Sequence, residues 1–165
     1  SYIDYARWIP VMTDTRKYWG TPAVNNISAL KESVRIMLEE GLEERYRRHR
    51  EHARLIAEAM SAIGFRILAK EGYRSPTLSI FLYPENMPVD DAAFRAVCAA
   101  EGSLVAACLG DYAGKGFRMG HMGNLDKHML ISGVAAIERA AISCGLDVEP
   151  GAALAVMQRG LAGKY

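Results

Sequence analysis

Thr77-Leu-Ser-Ile-Phe-Leu-Tyr83 alternates as a β-strand does, and Ser75-Pro76 breaks the chain just ahead of it. Working outward, Phe65-Arg-Ile-Leu-Ala69 reads as a short strand before it. Ser103 to Ala107 and Phe117-Arg-Met119 read as a third and a fourth strand, separated by a glycine-rich loop from Gly110 to Gly116. Between the second and third strands, Val89-Asp90-Asp91 opens a helix to about Ala100, with Asp90 placed to cap it. After a turn from Gly120 to Gly123, Asp126 to Cys144 shows helical spacing with Leu130, Val134, Ile137 and Ala141 inward.

Two helices precede the strands. The first puts Ile27, Leu30, Val34, Met37 and Leu38 on one face and stops near Gly41. The second carries Leu42, Tyr46, His49, Ala53, Ile56, Ala57, Met60 and Ile63 at three- and four-residue steps and ends at Gly64. Its other face places Glu43 with Arg47 and Glu44 with Arg48, four apart and in the favourable order. A last short helix runs from Gly151 to Arg159, and Gly160 to Tyr165 is expected to fray. Residues 1–23 read as an arm without clear period, ending in Gly20-Thr21-Pro22. The order of two helices, two strands, helix, strand, strand, helix predicts an α+β fold. It is a short, mostly antiparallel sheet covered by helices rather than a doubly wound parallel one.

Composition narrows the function. A formal net charge of +1 argues against a general nucleic-acid or acidic-membrane binder. The basic run from Arg45 to Arg54 is interleaved with glutamates and an apolar face, so it reads as a solvated amphipathic helix. No apolar run approaches the ~20 residues of a membrane span. Cys98, Cys108 and Cys144 have no Cys-x-x-Cys spacing and read as reduced, mostly buried thiols of a cytoplasmic protein. No signal or transit segment is expected, and Ser1 reads as a cut point inside a longer chain.

Three places could carry chemistry. In Gly114-Lys115-Gly116-Phe117-Arg118-Met119-Gly120-His121-Met122-Gly123, Arg118 stands on a strand between glycines that let a ligand approach. A guanidinium on a rigid strand suits two-pronged carboxylate binding. The other reading is a salt bridge to a neighbouring glutamate, and spacing alone favours it. In Tyr18-Trp19-Gly20-Thr21-Pro22, a phenol and a hydroxyl precede a helix N-terminus, as a phosphate clamp would need. Thr21 as an ordinary N-cap is the alternative. His121 has no second ligand at metal spacing. His49 and His52 lie on a charged helix and His128 on another, so no metal site is expected.

Taken together, several segments resemble the class V aminotransferases, above all the alanine–glyoxylate and serine–pyruvate aminotransferase group. They are Thr21-Pro22-Ala-Val24, Glu39-Glu40-Gly41-Leu42-Glu43, Arg45-x-x-Arg48-His49, Ser75-Pro76-Thr77, Ala113-Gly114-Lys115 and Phe117 to Gly123. Ser1-Tyr-Ile-Asp4 is similar to the strand leaving that family's large domain, and the likeness runs in order to about residue 146. The resemblance implies the small C-terminal domain of a fold-type-I, pyridoxal 5′-phosphate-dependent enzyme. Residues 1–23 would be a connecting arm from a missing N-terminal large domain, and 24–165 the small domain with its leading helices. It implies a homodimer moving an amino group between a small amino acid, such as alanine or serine, and a 2-oxo acid such as glyoxylate or pyruvate. Arg118 matches the arginine that holds the substrate carboxylate. Tyr18 and Thr21 match the pair that reaches the neighbouring subunit's cofactor phosphate. The family's Schiff-base lysine lies upstream. Lys17, Lys31, Lys70, Lys115, Lys127 and Lys164 lack its context, so this chain alone is expected to be inactive.

The family commonly has small glycines where Ala107-Cys108 precede Leu109-Gly110, and a glutamate where Asp111 stands. Substrate choice therefore stays open among related members, including pyridoxamine–pyruvate and ureidoglycine–glyoxylate aminotransferases. A cysteine desulfurase-like lyase would need Cys108 as its reactive thiol. A non-catalytic α+β binding domain is the remaining alternative.

Overall fold

The computed structural model describes residues 3–163. The chain divides into two compact units at Leu42/Glu43.

The first unit holds α1 (Tyr5–Thr13) and α2 (Val24–Glu40). Helix α1 lies within residues 1–23, the arm in which the sequence shows no clear period. Asp4 caps it by accepting the Ala6 N–H at 3.1 Å, and Pro10 sits inside it. No side chain of α1 is buried. Ile3 and Asp4 lead into this helix rather than forming a strand, while Ser1 and Tyr2 lie outside the described residues. The arm's aromatic residues pack locally. Trp8 meets Trp19 edge-on with ring centroids 4.9 Å apart, and the Arg7 guanidinium lies 5.7 Å from the Trp19 centroid. In the apolar row of α2, Ile27, Leu30, Val34 and Leu38 are exposed.

The second unit carries almost all of α3 (Leu42–Ala62), followed by β1 (Arg66–Ile67), β2 (Leu78–Leu82), α4 (Asp91–Ala100), β3 (Ala106–Ala107), β4 (Gly116–Gly120), α5 (Lys127–Ser143) and α6 (Ala152–Leu161). The sheet order is β1-β2-β4-β3, and every pairing is antiparallel. The α+β expectation therefore holds. The outer strands are shorter than the sequence suggests. Each has only one neighbour, and pairing lasts for two residues: Arg66 and Ile67 against Leu82 and Phe81, Ala106 and Ala107 against Arg118 and Phe117.

The strand pleat sorts the side chains. Ser79, Phe81, Phe117 and Met119 share the face that packs into the helices. There Phe117 lies 5.3 Å from Phe65 and 5.6 Å from Phe94, centroid to centroid, in the tilted and edge-on arrangements that aromatic pairs prefer. Leu55, Ile56 and Met60 of α3, Leu130, Val134 and Ile137 of α5, and Met157 of α6 complete this core. The opposite face carries Gly116, Arg118 and Gly120.

Caps read from sequence are in place. Asp90 accepts the Ala93 N–H and Asp126 the Met129 N–H, each at 2.8 Å. Helix α6 runs further than expected. Gly160 lies within it, where a Cβ would come 2.0 Å from Leu55 Cδ2, and Leu161 is buried. Gly160 and Leu161 are therefore packed rather than frayed, whereas Lys164 and Tyr165 lie outside the described residues. On α3, Arg47 pairs with Glu44 three residues back instead of with Glu43.

Candidate functional site

Arg118 stands in the middle of β4, opposite Ile80 on β2 and Ala106 on β3. Its Nε donates to the Ala107 carbonyl at 2.8 Å. No carboxylate among the described residues pairs with it, so the salt-bridge reading is not what the structure shows. One edge of the guanidinium is anchored by a backbone oxygen, which leaves both Nη groups to serve as a two-toothed donor. The two glycines beside it do different work. A Cβ at Gly120 would meet nothing within 4 Å, so that side is open to a ligand. A Cβ at Gly116 would lie 2.2 Å from the Phe81 carbonyl oxygen, so Gly116 permits close approach of β2 and β4.

The segment after Arg118 is held from α3. Arg48 donates to the carbonyls of Leu125 at 2.9 Å and Gly123 at 3.0 Å. Arg45 donates to Asn124 Oδ1 at 3.0 Å. His49 Nδ1 donates to the Arg45 carbonyl at 2.7 Å, and its Nε2 accepts the Gly123 N–H at 3.1 Å. A carbonyl on one ring nitrogen and an N–H on the other define a neutral Nδ1–H imidazole. Arg45-x-x-Arg48-His49 and the glycine-rich segment 120–125 are thus two halves of one hydrogen-bonded clamp. Sequence reading had placed His49 and His52 on a charged helix, yet both are buried.

His121 is buried at 1% exposure, with Nε2 2.9 Å from Ser79 Oγ and its N–H on the Thr77 carbonyl at 2.9 Å. Burial pushes its pKa down to about 4. It is a neutral structural side chain that ties β2 to the end of β4, and Ser79 as its partner was not foreseen. Cys108 is buried, and burial pushes its thiol up, which disfavours the thiolate a desulfurase-like chemistry requires.

In the first unit, Tyr18 and Thr21 come together, with the Tyr18 hydroxyl 2.6 Å from Thr21 Oγ1. Both side chains are exposed. Thr21 is not the N-cap of α2; that position is Ala23, which offers no side-chain cap. Two adjacent hydroxyls therefore stand just before a helix N-terminus whose leading N–H groups lack a side-chain acceptor at the cap.

A small four-stranded antiparallel sheet with helices packed on it matches the C-terminal domain of aminotransferase structures. Comparison with known proteins agrees. The chain is 32% identical over 149 residues, 90% of its length, to an uncharacterized aminotransferase of Methanocaldococcus jannaschii. It is 33% identical over 138 residues, 82% of its length, to the serine–glyoxylate aminotransferase of Methylorubrum extorquens. The crystal structure of ureidoglycine–glyoxylate aminotransferase from Bacillus subtilis superposes with a TM-score of 0.86 at 29% identity, over 96% of this chain and 41% of that one. The chain spans 38% and 34% of the length of the two curated relatives. No family model matches it. The chain belongs to this aminotransferase family and corresponds to its C-terminal part.

Proposed function

We propose that the complete protein is a class V, fold-type-I aminotransferase that uses pyridoxal 5′-phosphate. It moves an amino group between a small amino acid, such as alanine or serine, and a 2-oxo acid such as glyoxylate or pyruvate. In this reading residues 1–23 are the arm from an upstream large domain that holds the Schiff-base lysine, 24–165 are the small domain, and the protein is a cytoplasmic homodimer. No helix among the described residues is long and apolar enough to cross a membrane. The exposed apolar rows of α2 support a partner surface.

The observation that carries the reading is Arg118: a strand-borne guanidinium fixed through Nε, with an open glycine beside it and no carboxylate among the described residues on its fork. Its task is positional. Gripping both carboxylate oxygens of an amino acid fixes rotation about Cα and holds the bond to be broken in one orientation. The residues present also suit the cofactor: Tyr18 and Thr21 offer two hydroxyls at the start of α2, a donor set that fits the phosphate of the partner subunit's cofactor. When bound, pyridoxal phosphate supplies the electron sink that stabilises charge developing at Cα. Ala107 through its carbonyl keeps Arg118 aimed, and the clamp from Arg48 and His49 holds the chain that follows β4.

The test is an assay of the complete protein saturated with pyridoxal phosphate. Alanine and serine are each offered with glyoxylate and with pyruvate, and the amino products are read by chromatography. Cofactor-dependent transfer from at least one donor is expected. No transfer from any pair, with the cofactor demonstrably bound, refutes the substrate class.

A further inference from the structure

A group of arginines that does not include Arg118 lies between α3 and the chain leading into β2. A cleft of about 440 Å³ is lined there by Arg45, Tyr46, His49, Arg50, Arg74 and Thr77, among others, and no carboxylate lines it. The larger cleft of about 720 Å³ differs: Glu44, Glu51 and Asp126 stand beside Arg47, Arg48 and Lys127, and the charges offset. The contrast repeats along α3 itself. Arg47 is paired with Glu44, and Arg54 with Glu51 and Glu58. Arg50 forms no ion pair among the described residues, and it lines this cleft. Arg74 uses only Nε, on the Ala69 carbonyl at 3.4 Å, so its Nη groups are available.

The walls are built rather than incidental. Thr77 is held by its carbonyl, which accepts the His121 N–H at 2.9 Å, and by its N–H, which donates to Ser75 Oγ at 3.2 Å. Arg45 is steadied by Asn124 and His49 by Gly123. A carboxylate is satisfied by one fork, whereas a phosphate has three oxygens to share among guanidinium groups arriving from two directions. The volume falls in the range of small-molecule sites. The half-exposed Tyr46 ring offers an apolar wall beside the cations.

We propose that this cleft binds a phosphate monoester, whose phosphate is held by Arg50 and Arg74 and whose organic part lies against Tyr46. The proposal does not rest on the aminotransferase reading, and it uses neither Arg118 nor Tyr18 and Thr21.

The experiment titrates the complete, cofactor-loaded protein with phenyl phosphate at low ionic strength, read by isothermal calorimetry. Benzoate and inorganic phosphate serve as comparison probes. Saturable binding of phenyl phosphate is expected, at least tenfold tighter than benzoate and displaced by inorganic phosphate. Arg50→Gln and Arg74→Gln should each weaken it at least tenfold, and Arg118→Gln should leave it unchanged. Arg50→Lys and Arg74→Lys should recover part of the loss, and equal thermal melting of all variants shows that they fold. Transaminase activity of Arg50→Gln, where present, should stay at the wild-type level. Four results overturn the proposal: absence of saturable binding, benzoate binding as tightly, wild-type affinity in the Arg50→Gln/Arg74→Gln double variant, or loss of binding in Arg118→Gln.

Discussion

Replacing Arg118 by alanine in the complete protein separates an anchor from a strut. The guanidinium donates through Nε to the Ala107 carbonyl at 2.8 Å and pairs with no protein carboxylate among the described residues. Its removal strands no buried anion, and Ala107 is only half-buried, so stability should change by no more than about 1 kcal/mol. Binding of a substrate carboxylate is another matter. Losing a two-pronged charged contact costs about 2–5 kcal/mol. At about 1.4 kcal/mol per tenfold, kcat/KM should fall roughly 30- to 4,000-fold. Arg118→Lys keeps the charge but gives up the planar fork and the fixed Nε bond, so it should recover only part of the loss. The assay is steady-state transamination with a carboxylate-bearing donor and with an amine lacking a carboxylate, beside the cofactor's absorbance spectrum. The carboxylate donor alone should suffer, and the spectrum should hold. An equal loss for both donors, or loss of cofactor binding, refutes the anchor and makes Arg118 a structural residue of the sheet.

Thr21→Ala in the complete protein should weaken cofactor affinity by about 1–2 kcal/mol, the value of one hydrogen bond to a charged group; unchanged affinity by equilibrium dialysis removes the phosphate role of Tyr18 and Thr21. The 165-residue chain alone, incubated with pyridoxal phosphate and reduced with borohydride, should show no single stoichiometric lysine adduct by mass mapping; one such adduct contradicts the expectation of an upstream lysine. His121, lowered by burial from 6.5 to about 4, takes its proton more readily in the unfolded chain. Its contribution to stability is therefore complete above about pH 6.5 and is lost as pH falls toward 4, by a total on the order of 3 kcal/mol; a His121→Asn variant melting with the same pH slope as wild type would show that another group governs it. Gly116→Ala forces a Cβ to within 2.2 Å of the Phe81 carbonyl oxygen. It should cost at least about 2 kcal/mol by denaturant unfolding, and wild-type stability would mean that β2 and β4 separate freely.

What was legible in the sequence is what acts over a few residues. Asp90 and Asp126 cap helices by reaching N–H groups three positions on, and Gly41 ends α2 at a positive φ of 84°, so neighbouring letters reveal them. The alternation of Ser79 and Phe81 against Ile80 marked β2 for the same reason: a pleat repeats every two residues. Helix α1 is hard to read from sequence because Pro10 interrupts its helical propensity and the segment is short. Arg118 could be singled out by its glycines, yet its state could not, because the Ala107 carbonyl and the absence of a protein carboxylate depend on which strand lies beside β4. The link from Arg48 and His49 to Gly123 spans more than seventy residues, and the meeting of Arg45 and Arg50 with Arg74 joins a helix to a distant loop. Sequence alone determined most of the elements, the α+β class and the family likeness. Only the tertiary structure decided which charges are answered by a partner and which are left facing a cleft, because neutralisation depends on distance in space and not along the chain.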